Sequence, residues 1–236
     1  MRKILLMILL ASWVLTACGP EAATEEPSTD IEQPTPTQAE ADLTPAQLAA
    51  VEVLSANLGL PADEIRVVST EAVNWPDACL GIKVQEQVCA EVITPGFRIT
   101  LEGDGKKVEY RTNEDGTQIR PATVAMTWKR EGGIAGFCDY MTVYLSGEAQ
   151  LSSCKQGKPI EKRLIDILSE EEMARLDEWL STYGNVSIDA SDPKGVADRM
   201  VVMLSLAGTG SRQTLSRQAG QELLSFAQEL HLRLSQ

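Results

Sequence analysis

Residues 125–154 read AMTWKREGGIAGFCDYMTVYLSGEAQLSSC, and this stretch decides what kind of fold the chain adopts. Ala125 to Lys129 reads as a strand, and Arg130-Glu131-Gly132-Gly133-Ile134-Ala135-Gly136 follows as a glycine-rich loop. Tyr140 to Tyr144 and Glu148 to Cys154 then form a hairpin. A three-residue turn with Gly147 at its left-handed position makes Tyr144 face Glu148. The same register makes Cys138 face Cys154, which supports a disulfide between them.

Helices flank these strands. Ser169 with Glu172 makes a capping box that opens a helix with Met173, Leu176, Leu180 and Tyr183 on one face, and Gly184 closes it. Met200 to Leu206 reads as a buried strand, Gly208-Thr209-Gly210 as a turn, and Arg212 to Leu215 as its short partner. Residues 217–234 make a last helix that turns Leu223, Phe226, Ala227, Leu230 and Leu234 to the core.

The preceding segment repeats the logic on a smaller scale. Thr44, Pro45 and Gln47 make a capping box with proline at the first helical position. Leu48, Val51, Leu54 and Leu58 form an apolar stripe that ends at Gly59. Strands are expected at Ile65 to Thr70, Phe97 to Leu101 and Val108 to Thr112, with turns at Asp104-Gly105 and Asp115-Gly116. The expected fold class is α+β: two small domains, 43–122 and 123–236, each an antiparallel sheet with one or two packed helices.

What precedes the domains reads as an export address. Arg2 and Lys3 are followed by an apolar run from Ile4 to Leu15, too short for the roughly 20 residues of a bilayer span but right for a signal peptide over 1–17. Residues 18–42 form an acidic, proline-rich tether containing Pro20, Pro27, Pro34 and Pro36, with no aromatic residue and no Lys or Arg. Loss of Arg2 and Lys3 with the signal takes the basic count from 21 to 19 against 34 acidic residues, a net charge of −15. Such a surface repels nucleic acid and anionic headgroups.

Five cysteines are an odd number for an exported chain. With Cys18 set aside, two close pairs remain, and Cys79–Cys89 with Cys138–Cys154 is the favoured connectivity. Zinc is the competing reading, but neither pair has C-x-x-C spacing and His231 is the chain's one histidine.

Catalytic constellations are not found. There is no G-x-S-x-G, no H-E-x-x-H and no Walker loop. Gly208-Thr209-Gly210 fits a turn better than a phosphate cradle, and His231 lies beside the apolar face of a helix, where a structural role is the default. The chain is therefore read as a non-enzyme with no catalytic residue, no metal ligand and no cofactor.

Three resemblances extend this reading. Leu15-Thr16-Ala17-Cys18 resembles a lipobox, which implies cleavage before Cys18, acylation of its thiol and a lipid anchor on the outer side of the cell membrane. Gly19 after that cysteine is no retention signal, so an outer membrane is an allowed destination. Trp75-Pro76-Asp77-Ala78-Cys79-Leu80-Gly81, followed by Cys89 and Thr94-Pro95-Gly96-Phe97, resembles a W-P-D-x-C-L-G motif of small domains in bacterial secreted proteins. Two roles are open there: Trp75 plugs a small core while the disulfide fixes a long loop, or Trp75 and Asp77 bind a ligand.

The third resemblance carries an activity. Arg130-x-Gly132-Gly133-Ile134-Ala135-Gly136 resembles a segment of the emfourin family, small inhibitors of thermolysin-type metalloproteases. The order of elements over residues 124–234 agrees with that family, including an Asp-led strand from Asp198 to Leu206. The disulfide hairpin departs from its cytoplasmic members. The resemblance implies that Arg130, Gly132, Gly133, Ile134, Ala135 and Gly136 meet a secreted metalloprotease, with Glu131 or Asp139 available to a catalytic zinc. Two alternatives stand beside it. The glycines make a bulge in the first strand and Arg130 pairs with a surface acid, or the chain is an envelope binding or scaffold lipoprotein of no inhibitory activity.

Overall fold

A computed structural model describes residues 43–82, 88–153 and 162–236. The signal peptide, Cys18, the tether and Cys154 lie outside the described residues. No helix among those described is long and apolar enough to cross a membrane.

The fold is α+β, with two antiparallel sheets and three helices. Helix α1 (Pro45–Leu58) starts where its sequence dictates. The Thr44 hydroxyl accepts from the Gln47 N–H at 3.3 Å, the Gln47 side chain accepts from the Thr44 N–H at 2.9 Å, and Gly59 closes the helix at φ 66°. Its buried face is Ala46, Ala50, Val51 and Leu54; Leu48, expected on that stripe, is 46% exposed. Close approach explains the substitution of alanine for leucine here. A Cβ on Gly116 would lie 2.8 Å from the Ala46 Cα, so the turn at Asp115-Gly116 presses on the helix backbone.

α1 covers a four-stranded sheet in the order β1 (Arg66–Trp75), β2 (Thr94–Gly103), β3 (Lys106–Asn113), β4 (Ile119–Pro121). The strands are longer than their apolar cores suggest, and β1 runs to Trp75. Asp104 and Gly105, at φ 51° and 70°, make the tight β2–β3 turn.

The second sheet has six strands in the order β8-β7-β6-β5-β10-β9: β5 (Val124–Gly132), β6 (Phe137–Tyr144), β7 (Glu148–Ser153), β8 (Lys162–Ile167), β9 (Asn185–Asp189) and β10 (Met200–Ala207). Asp139 pairs with Ser153 and Val143 with Ala149, the register expected for this hairpin, and Gly147 turns it at φ 87°. Helices α2 (Glu170–Thr182) and α3 (Arg217–Leu234) pack their apolar faces against Met126, Trp128, Met141, Leu204 and Leu206 of the sheet. All five residues expected on the inner face of α3 are buried, each large one worth roughly 1.5–3 kcal/mol. Arg233 forks onto Glu172 at 2.6 and 2.7 Å and ties the end of α3 to the start of α2.

Four expectations differ from what forms around α2 and β10. Gly184 is not a left-handed cap, because Tyr183 already leaves the helix with extended backbone. Gly208-Thr209-Gly210 turns no hairpin. Its Thr209 and Gly210 amides donate to the Leu180 and Tyr183 carbonyls, capping the end of α2. Arg212 to Leu215 is no partner strand: Arg212 makes one parallel bridge to Tyr183, and β10 pairs with β5 and β9 instead. The strand expected from Asp198 begins at Met200, after Asp198 turns the chain at φ 55°.

Candidate partner-binding hairpin

The glycine-rich segment is not a long loop. Arg130, Glu131 and Gly132 are the last residues of β5, paired with Asp139, Cys138 and Phe137 of β6. Only Gly133 to Gly136 turns the chain, and the Gly136 N–H closes the turn on the Gly133 carbonyl at 2.9 Å. Gly132, Gly133 and Gly136 have φ of 87°, 70° and 64°, a conformation L side chains rarely adopt. Space also matters at Gly132, where a Cβ would sit 2.2 Å from the Arg199 carbonyl oxygen. The glycines therefore let β5 bend tightly into β6 while pressed against the chain leading to β10. At the tip, Ile134 is 93% exposed.

Arg130 braces this turn. Its Nε and Nη2 donate to Asp139 Oδ2 at 3.0 and 2.6 Å, and its guanidinium lies 3.8 Å from the Phe137 ring and 5.6 Å from that of Trp128. Asp139 is 8% exposed, so the partner of Arg130 is a nearly buried acid rather than a surface one. Strand pairing sets this contact: with Gly132 opposite Phe137, Arg130 must face Asp139. His231 completes the cluster 5.0 Å from Trp128, and burial pushes its imidazole below the usual range, aided by Arg130 and opposed by Asp139.

Neither carboxylate expected near a zinc is free at the tip. Asp139 holds Arg130, and Glu131 accepts from the Tyr140 hydroxyl and pairs with Lys129 at 3.3 Å. What the tip offers is two exposed apolar side chains, Ile134 and Ala135, on a closed turn. Cys138 lies beside it in β6 and is disulfide-bonded; the expected partner, Cys154, is outside the described residues.

The W-P-D-x-C-L-G segment is a built corner. Trp75 is 2% exposed, its Nε1 donates to the Thr112 carbonyl at 2.9 Å, and the Arg111 guanidinium lies 4.9 Å from its ring. Asp77 Oδ1 accepts the Cys79 and Gly81 amides at 2.8 and 3.0 Å. Cys79 is bonded to Cys89 across 5.7 Å between Cα atoms, as expected. Leu80 is fully buried, and both Leu80 and Gly81 have positive φ. Asp77, Cys79 and Cys89 are close enough to suggest a metal cluster, but the two sulfurs are spent on each other and Asp77 on backbone amides. Trp75, Asp77, Cys79 and Leu80 thus each have a structural task.

Sequence reasoning overlooked a second polar group of note, the carboxyl of Glu148 in contact with Tyr110 and Ser146. It also overlooked β8 and β9, although Val186 and Ile188 alternate with Ser187 and Asp189 at strand period.

The family model described as a domain of unknown function, DUF8738, matches residues 47–121. That span runs from α1 to β4 and includes the Trp75 corner. No curated protein and no solved structure matches the chain.

Proposed function

We propose that this chain is a non-catalytic lipoprotein, anchored outside the cytoplasm through Cys18, whose second domain inhibits thermolysin-type metalloproteases with the Gly133–Gly136 hairpin tip. The observation that carries the reading is Ile134, 93% exposed on a four-residue turn that Arg130, Asp139 and Phe137 brace from behind. Ile134 is the large side chain that the turn presents to a partner, and a stiff backbone spares the ordering cost of binding. The emfourin-like sequence of the same turn supplies the class of enzyme. With Glu131 and Asp139 both engaged, the tip acts as a plug in the substrate cleft and not as a zinc ligand. The test is inhibition of a panel of thermolysin-type proteases by the purified chain, compared with Ile134→Asp. Loss of inhibition in the variant supports the reading, and a wild-type chain inert at micromolar concentration overturns it. In cells, Cys18→Ser should abolish acyl labelling and the membrane-bound form; undiminished labelling would remove the anchor from the proposal.

A second reading, a binding or scaffold lipoprotein without inhibitory activity, is favoured by the outer face of the six-stranded sheet. A groove of about 430 Å³ lies there beneath Ile82, lined by Lys129, Tyr140, Thr142 and Met203. It holds if the panel is unaffected while an envelope protein cross-links to this face.

A further inference from the structure

We propose that the open edge of β9, with the first turns of α3, is a docking groove for an extended segment of a partner protein, added as a seventh strand. This site is separate from the hairpin tip and does not rest on the inhibitor reading.

The backbone of β9 defines the occupant. Ala190 donates to the Val202 carbonyl at 2.9 Å and Asp192 to the Met200 carbonyl at 2.8 Å. In an antiparallel ladder every second residue bonds to the same neighbour, so Val186 and Ile188 serve β10 while Ser187 and Asp189 aim their N–H and C=O groups outward. Asn185, Ser187 and Asp189 are exposed, and β9 contains no Lys, Arg or Pro to discourage pairing. Donors and acceptors repeating every two residues, roughly 6.8 Å apart, are complemented by another strand.

At its start β9 is met by Arg212, on the side that faces β10. Arg212 bridges Tyr183 in parallel, with the Gly184 N–H on the Arg212 carbonyl at 2.9 Å and the Arg212 N–H on the Thr182 carbonyl at 3.3 Å. At Gln213 the chain turns away toward Ser216, which caps α3. Among the described residues no strand pairs with the outer edge of β9, and a groove of about 620 Å³ runs between it and α3.

The groove also has side-chain preferences. Ile188, Leu215 and Leu224 line it and are only partly buried. Gly220 faces it without a side chain, and a Cβ there would meet only Ile188 Cδ1, at 3.8 Å. Residues of the added strand that turn toward α3 are therefore apolar, entering between Gly220 and Leu224. Arg217 lines the same groove and makes no ion pair among the described residues, so an acidic residue at that end is favoured. A second copy of this chain is the weaker occupant. β9 has five residues, and pairing two such edges brings too little chain together for the roughly 1,200 Å² of a stable interface.

The test pans a display library of random eight-residue peptides on the full chain in detergent and measures the enriched peptides by fluorescence anisotropy. Ser187→Pro removes one outward N–H without touching the β10 ladder. Gly220→Leu fills the hollow and should leave or raise the melting temperature, since leucine favours helix over glycine. Each should weaken the peptides by about tenfold or more, the loss of one good contact. N-methylation at alternate peptide positions should abolish binding, an effect independent of either variant's folding. The proposal is overturned if no peptide is enriched, or if enriched peptides ignore Gly220→Leu and N-methylation. It is also overturned if Ser187→Pro only converts a dimer to monomer, which would give the edge to a second copy.

Discussion

The hydroxyl of Tyr110, fully buried under α1, donates at 3.2 Å to the Oε2 of Glu148, which belongs to the other sheet. Ser146 donates to the same oxygen at 2.9 Å, and Asn57 donates to the Tyr110 oxygen at 3.4 Å. Leu145 packs against both apolar cores beside them, and Lys106 of β3 pairs with Asp177 of α2 at 2.6 Å. The two sheets meet across a small polar seam with a carboxyl at its centre. Burial pushes the Glu148 carboxyl up, against the pull of its Ser146 and Tyr110 hydrogen bonds. Burial first, and the Glu148 charge second, push the Tyr110 phenol up as well, so it stays a neutral donor.

The sign of the resulting pH dependence is fixed. A carboxyl raised in the folded chain binds its proton more tightly there than when unfolded. Its contribution is present below the unfolded value, near 4.5, and is lost as pH rises from there through the raised folded value. Glu148→Gln removes that loss. Calorimetry across about pH 4 to 8 should find the variant level with wild type at the acid end and more stable at neutral pH. A melting difference that does not change with pH would mean that Glu148 does not titrate in this window.

Tyr110→Phe tests the other partner. It deletes one donor and leaves Glu148 buried with Ser146 and Asn57, at a cost of about 1–3 kcal/mol. Combined with Glu148→Gln, the cost should shrink, because an amide tolerates the loss better than a carboxylate does. Additive costs in denaturant titrations would show that the two groups are not coupled.

The elements that were legible in the sequence are those whose signal is local. Both capping boxes were read correctly, because hydroxyl, spacing and acceptor all lie within four residues. The hairpin register was legible because one turn glycine fixes it. Leu48 misled because an alanine face, Ala46 and Ala50, packs closer than leucine allows and carries little hydrophobic signal. Gly208 and Gly210 misled because a cap on the end of a helix far upstream, at Leu180 and Tyr183, looks like a hairpin turn. Within the candidate site, the glycine turn was visible, but the Arg130–Asp139 pair was not drawn from it although the register implies it. The Tyr110–Glu148 contact spans 38 residues and two sheets, and no local pattern announces it.

Gly208 offers a test of that capping role. A Cβ there would lie 2.0 Å from the Tyr183 carbonyl oxygen, a contact that only backbone movement relieves. Gly208→Ala should cost about 1–3 kcal/mol and fray the last turn of α2, seen as faster amide exchange there. Gly195, at φ 88° with nothing near its Cβ position, is the control, where only backbone strain of about 1 kcal/mol applies. Equal costs at the two sites would show that the packing on Tyr183 is not decisive.

The hairpin predictions separate contact from support. Ile134 is 93% exposed and braces nothing, so Ile134→Asp should leave the melting temperature within the scatter of surface variants, about 0.5 kcal/mol, while abolishing inhibition. Arg130→Ala breaks a pair whose acid is 8% exposed and uncovers the Phe137 ring, and should cost about 2–4 kcal/mol. Its effect on inhibition should be partial, because it loosens the turn without altering the tip. Arg130→Lys keeps the charge but not the fork or the stacking, and should fall between wild type and Arg130→Ala in stability. The informative measurement is the pair of readouts on each variant, inhibition constant and melting temperature. If Ile134→Asp inhibits as well as wild type while Arg130→Ala does not, the contact lies behind the tip, and the plug mechanism is wrong even though the hairpin remains the site.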